Sequence, residues 1–207
     1  MTDPTTVLEK IILDPPEAKI FSRLGFKKKT TQLSIAQQKQ TRRQMEEAAS
    51  LITLQGSFLR LALHENDGRT IHLAGDLIFD SEKLASFLHD CSQAVLMGAT
   101  GGNAIMEAIR EKTDAGDFQA AVVYDATASE MTDAALGWIM DYVNVQLRRE
   151  GKKLLPRRFS AGYADFALAN QKPICQRLQM DRIGVTVTAS FILLPEKSVT
   201  AISGIPG

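Results

Sequence analysis

From Asp117 to Arg149 the sequence carries one uninterrupted helical pattern, and the rest of the 207-residue chain has to be arranged around it. Tyr124, Ala128, Met131, Ala135, Trp138, Tyr142 and Val145 recur alternately four and three residues apart, which places them on one apolar stripe. Asp125, Ser129, Asp133 and Asp141 fall largely off that stripe. A stripe of this kind reads as core, not as a cofactor site, and it needs a layer packed against it. Gly137 sits mid-helix, where glycine costs about 1 kcal/mol relative to alanine, so close packing against another backbone is expected there.

The opposing layer is written in short segments. Leu59, Leu61 and Leu63 alternate with Arg60, Ala62 and His64, Asn66-Asp67-Gly68 supplies a tight turn, and Ile71 and Leu73 resume the alternation. This is a β-hairpin pattern. His64 and His72 then fall on polar positions near the turn and read as solvated groups, not ligands. Ser81 caps a predicted helix whose Leu84, Phe87, Leu88 and Cys91 share one face, making Cys91 a core residue instead of a nucleophile. "AVLMGAT" reads as a short buried strand and "GGNAIMEAIREK" as the helix it feeds. The Gly-Gly junction between them lacks the lysine of GxxxxGK[ST] and the spacing of GxGxxG. A tight turn that packs strand against helix is the preferred reading, with a phosphate-ligand enzyme as the weakest alternative.

At the N-terminus, Ser34 is positioned to cap a polar helix containing Ile35, Met45 and Ala49. Packing across the domain and a solvated arm both remain open for it. At the other end a short helix near "KPICQRL" precedes Val185 and Val187, which alternate with Thr186 and Thr188, and Pro195-Glu196-Lys197-Ser198 turns the chain into a last strand. The pattern predicts an α+β fold with a mixed, mainly antiparallel sheet packed with helices. It forms a single domain over 1–207, with a polar helical N-terminal segment over about 1–50.

Lysine plus arginine and aspartate plus glutamate number 24 each, which gives no support for nucleic-acid binding. Two cysteines without CxxC spacing and three scattered histidines suggest a reducing compartment and no protein-held metal. The N-terminus lacks the pattern of a signal peptide, and no apolar run approaches the roughly 20 residues that span a bilayer. A cytoplasmic protein away from membranes is expected.

Residues 157–166, "RRFSAGYADF", are too polar for a core strand. Arg158, Gly162 and Tyr163 form R-x-x-x-G-Y. A guanidinium on a loop suits a carboxylate, glycine permits close backbone approach, and a tyrosine ring can face a cation. Such a set suits a zwitterionic ligand with a positive centre. On spacing alone, a turn with a solvent-facing arginine and a packed tyrosine is the preferred reading of these residues.

The order of long helix, "RRFSAGY", short helix and "GVTVTASFILLPEKSV" resembles the S-adenosylmethionine-binding activation (reactivation) domain of vitamin B12-dependent methionine synthase, most clearly over Asp117–Gly204. The resemblance implies that Arg158 holds the methionyl carboxylate, that backbone around Ser160 and Gly162 contacts the nucleoside, and that Tyr163 lines the pocket near the sulfonium. Asp133 would meet the ligand's amino group, with Glu130 as the out-of-register alternative. It also implies a free-standing activation module, an accessory subunit that needs cobalamin carried by a corrinoid methyltransferase partner and a flavodoxin- or ferredoxin-like reductant. The chain departs from the family at Lys152, where an acid is common, and at Ala164-Asp165-Phe166, which replaces a proline and cysteine pattern. No cobalamin-binding DxHxxG signature is present. Those departures motivate the alternative of a non-catalytic docking partner of a corrinoid protein with a degenerate pocket.

Overall fold

In the computed structural model, residues 4–26 and 34–207 are described; most of the polar run that precedes Ser34 lies outside them. In chain order the elements are β1 (Thr6–Leu8), α1 (Glu17–Arg23), α2 (Ile35–Leu51), β2 (Gln55–Asn66), β3 (Thr70–Leu73), β4 (Leu77–Asp80), α3 (Glu82–Phe87), β5 (Cys91–Thr100), α4 (Ala104–Asp114), α5 (Phe118–Leu147), α6 (Gln171–Arg177), β6 (Thr186–Val187), β7 (Leu193–Leu194) and β8 (Ser198–Pro206).

The sheet is six-stranded, ordered β4-β3-β2-β5-β8 with β1 alongside the first half of β2, and each of its pairings is antiparallel. The predicted hairpin is β2–β3. Its turn is tied by Asp67, whose carboxylate accepts from the N–H groups of Arg69 and Thr70 at 2.8 and 2.6 Å. The predicted short strand is the ten-residue β5, central and covered on both faces, which is why it reads as a nearly continuous apolar run. Val95, Met97 and Ala99 face α5, while Ala94 and Leu96 face α3 and α6. The fold is thus α+β: one sheet between a helical layer led by α5 and a second built from α3, α6 and short 3-10 turns.

Several expectations need correction. Cys91 is buried as predicted, but it opens β5, because α3 ends at Phe87. Along α5, Tyr124, Ala128, Met131 and Ala135 are buried, whereas Tyr142 and Val145 are exposed and Leu136, Ile139, Val143 and Leu147 take over the inner face. The spacing of four and three is a 3.5-residue period; on a straight helix it drifts by ~20° per heptad and rotates out of the core. Gly137 has open space around its Cα, with no backbone close by. Of the two expected C-terminal strands, only β8 joins the main sheet; β6 and β7 pair with each other as a two-stranded piece.

The polar α2 is packed, not a solvated arm. Ser34 and Gln37 form a reciprocal capping box, Ala48 packs against Ile105, Tyr124 and Ala128, and Met45 against Ile20 and Val123.

Candidate functional site

After α5 the chain turns at Arg148–Glu150 and runs as an extended strap along the free edge of β8. Leu155 N–H donates to the Gly204 carbonyl at 2.8 Å, and Phe159 and Ile202 exchange both backbone hydrogen bonds at 2.8 and 2.7 Å. Ser203 Oγ adds a bond to the Arg157 carbonyl at 2.9 Å.

Extended backbone sends alternate side chains to opposite faces. Leu154 accordingly packs in the α5 cluster, while Leu155 and Phe159 pack in the cluster around α3 and α6. Arg158 follows Leu154 and reaches α5, where its Nη2 donates to Asp133 Oδ1. Arg157 falls on the other side and lines a cleft against α3. Arg158 lines the same cleft, and it alone of the two arginines also reaches Asp133.

The bend that follows is a closed local unit. Gly162 has φ of +90°, the left-handed region that favours glycine, and its N–H donates to the Phe166 carbonyl at 2.7 Å. Tyr163 N–H donates to Ser160 O at 3.2 Å, and Phe166 N–H to Tyr163 O at 2.9 Å. Phe166 is buried against Phe79 and Phe159, with ring centroids 5.0 and 6.2 Å away. Asp165 anchors the bend by accepting from Ser81 Oγ at 2.6 Å and from Lys83 N–H at 3.2 Å. Those bonds, the Ser81 one above all, hold its carboxyl below the ordinary value.

Asp133 also lines a cleft of about 550 Å³ bounded by Arg23, Glu130, Lys197 and Ser198. Its walls are joined by ion pairs. Lys197 Nζ meets Asp125 Oδ1 at 2.6 Å and Ser129 Oγ at 2.9 Å, and Arg23 meets Glu130 at 3.1 Å. Glu130 is therefore tied to α1, and Asp133 is the acid that meets the loop arginine.

Of the residues singled out by sequence, Arg158 and Asp133 come into direct contact, and Ser160, Gly162 and Tyr163 occupy the adjoining bend. The side chains are arranged opposite to the plain-turn expectation. Arg158 is only 26% exposed and paired, whereas Tyr163 is 70% exposed. Because Gly162 N–H is spent on Phe166, only its carbonyl is left to face a ligand. Sequence reasoning missed Lys197 and Arg23. Lys197 lies in the "PEKS" segment read only as a turn, and nothing local marks Arg23, whose place depends on α1 packing against α5.

The other flagged segment is filled. Gly101 N–H donates to the Lys197 carbonyl at 2.7 Å, Gly101 O accepts from Thr53 N–H at 3.0 Å, and Gly102 N–H donates to Thr100 Oγ1 at 3.1 Å. A Cβ at Gly101 would lie 3.2 Å from Thr132 Oγ1. This is the tight packed turn, not a phosphate cradle. Burial raises both thiols, Cys175 to about 12, which keeps them protonated at neutral pH. Among the described residues no group of three or more His, Cys, Asp or Glu side chains is placed to hold a metal, and no helix is long and apolar enough to cross a membrane.

No protein-family model matches the sequence, and no curated protein matches it. Among solved structures, the crystal structure of the MetH reactivation domain bound to AdoHcy is similar with a TM-score of 0.66. The match covers 97% of this chain and 78% of that one at 13% sequence identity. The α+β architecture built above is thus the fold of the methionine synthase reactivation domain.

Proposed function

We propose that this chain binds S-adenosylmethionine across Arg158 and Asp133 and supports reductive methylation of cobalamin on a separate corrinoid protein. The observation that carries the reading is the contact between the Arg158 guanidinium and the Asp133 carboxylate beside an open cleft. The methionyl end of S-adenosylmethionine carries a carboxylate and an ammonium, so it can enter between the two groups and replace one ion pair by two. Both partners are partly exposed, 26% and 48%. A pair at that depth contributes at most ~1 kcal/mol and is easily opened, whereas each charge-assisted hydrogen bond to the ligand contributes about 1.5–3 kcal/mol.

In this assignment Arg158 orients the carboxylate and Asp133 the ammonium. Ser160 and the Gly162 carbonyl face the nucleoside, and Tyr163 closes over the sulfonium from its exposed position. S-Adenosylmethionine supplies the methyl group; a flavodoxin- or ferredoxin-like protein supplies the one electron needed to take the partner's cob(II)alamin back to the methylated state. The chain contributes positioning and charge complementarity. The neighbouring structure was solved with AdoHcy, the demethylated form of the same ligand, which supports the choice.

Calorimetry with S-adenosylmethionine tests this directly. Arg158→Ala is expected to weaken binding about ten- to a hundredfold, corresponding to roughly 1.5–3 kcal/mol. Equal affinity in wild type and variant overturns the assignment. A second reading, a docking module without a ligand, draws on the mutual satisfaction of Arg158 and Asp133 as a clasp for the strap. It predicts capture of a corrinoid protein that neither Arg158→Ala nor added S-adenosylmethionine alters.

A further inference from the structure

On the α3 side of the strap lies a second cleft of about 490 Å³ lined by Lys83, Phe87, Pro156, Arg157, Arg158 and Phe159. Phe87 and Phe159 are half-buried with ring centroids 5.9 Å apart, and they form a shared aromatic wall. Lys83 and Arg157 come from different elements, are both exposed, and have no ion-pair partner among the described residues. Asp165, the neighbouring acid, is spent on Ser81 Oγ and the Lys83 N–H. Two cations without an ion-pair partner beside a pair of aromatic rings, in a hollow of ligand size, form an arrangement that the Arg158–Asp133 contact does not need.

We infer that this cleft is a binding site for a phosphate monoester carried on a flat ring. The Arg157 fork and the Lys83 ammonium take the phosphate, while Phe87 and Phe159 take the ring. A guanidinium matches phosphate oxygens in pairs and a lysine supplies a point charge, so the two cation types divide the work as they do in other phosphate sites. Aromatic side chains accept the face or edge of a ring with little specificity for its substituents. The cleft adjoins the proposed S-adenosylmethionine site, on whose reading it partly rests, because Arg158 also lines it; but the Arg158 guanidinium is engaged by Asp133, which leaves Arg157 and Lys83 to take the phosphate.

Phenyl phosphate, inorganic phosphate and phenol are the probes, titrated into the whole chain and followed by NMR shifts of Phe87 and Phe159 together with calorimetry. Saturable binding of phenyl phosphate is expected, tighter than either fragment. It should weaken at least tenfold in the double variant Lys83→Gln/Arg157→Gln, whose positions are exposed and leave the core intact. Phe87→Leu should weaken phenyl phosphate and leave inorganic phosphate unchanged. S-Adenosylmethionine affinity should be unaltered in both variants, which separates failure here from failure of the other site. The assignment is overturned if phenyl phosphate does not saturate, if the double variant binds it as wild type does, or if the shifts map away from α3 and the strap. Equal affinity for inorganic phosphate and phenyl phosphate would overturn the aromatic half.

Discussion

The Gly101-Gly102 junction and the bend at 157–166 are the two segments whose residue types suggest ligand chemistry, and the fold treats them in opposite ways. At the junction both glycine N–H groups and the Gly101 carbonyl are consumed by Lys197, Thr53 and Thr100, and no room is left for even a methyl group without crowding Thr132. In the bend the N–H groups of Gly162, Tyr163 and Phe166 are consumed as well, but the two arginines flanking it line an open cleft, and Arg158 also reaches Asp133 at the wall of another. A glycine-rich turn is not a site when its donors are already spent. A turn becomes one when closing its backbone frees the side chains for other partners.

The contrast can be broken at its support. Phe166 holds the bend to the core through Phe79 and Phe159, so Phe166→Ala is expected to cost about 3–5 kcal/mol and to loosen the bend first. Denaturant unfolding and hydrogen exchange at Gly162 and Tyr163 would show it. A cost below 1 kcal/mol would mean the bend is held elsewhere.

At the junction, Gly101→Val should destabilise by about 1–3 kcal/mol through overpacking against Thr132 and Lys197. Affinity for S-adenosylmethionine should survive at temperatures where the variant stays folded. Loss of binding to a small phosphate probe in this variant, with stability unchanged, would restore the phosphate reading.

Gly137→Ala should act in the other direction. The position is helical and open, so alanine is expected to stabilise by roughly 0.5–1 kcal/mol. A loss of stability would reveal a close approach that the structure does not contain.

The smallest effect is local. Because hydrogen bonds from Ser81 and Lys83 keep Asp165 below its ordinary value of 3.8, its anchoring is complete above that pH and is lost as pH falls through the lower folded value. Exchange at Gly162 and Phe166 should accelerate as the pH drops below about 4, and Asp165→Asn should remove the dependence.

What was legible in the sequence was whatever depends on local period and local capping. α5, the β2–β3 hairpin, the Ser34 and Ser81 caps, α6 and the last strand all follow from patterns a few residues long. The errors have the same origin. The stripe through Tyr142 and Val145 obeys a local period but ignores drift over a long helix, and Cys91 was assigned to a helix because a face pattern ran past the true end at Phe87. At the site, Arg158, Gly162 and Tyr163 could be named because their spacing resembles a family pattern, and Asp133 because the long helix could be aligned with it. Lys197 and Arg23 enter through tertiary packing alone, and that Arg158, not Arg157, meets Asp133 requires knowing that the strap is extended along β8.

Exchanging the two charges tests the account most directly, by comparing Arg158→Ala with the double variant Arg158→Asp/Asp133→Arg. The swap rebuilds an ion pair, so folding stability should return to within about 1 kcal/mol of wild type. S-Adenosylmethionine affinity should stay at least tenfold weaker, because its carboxylate and ammonium now face like charges. Wild-type affinity in the swapped protein would contradict the account and leave the pair as a clasp for the strap.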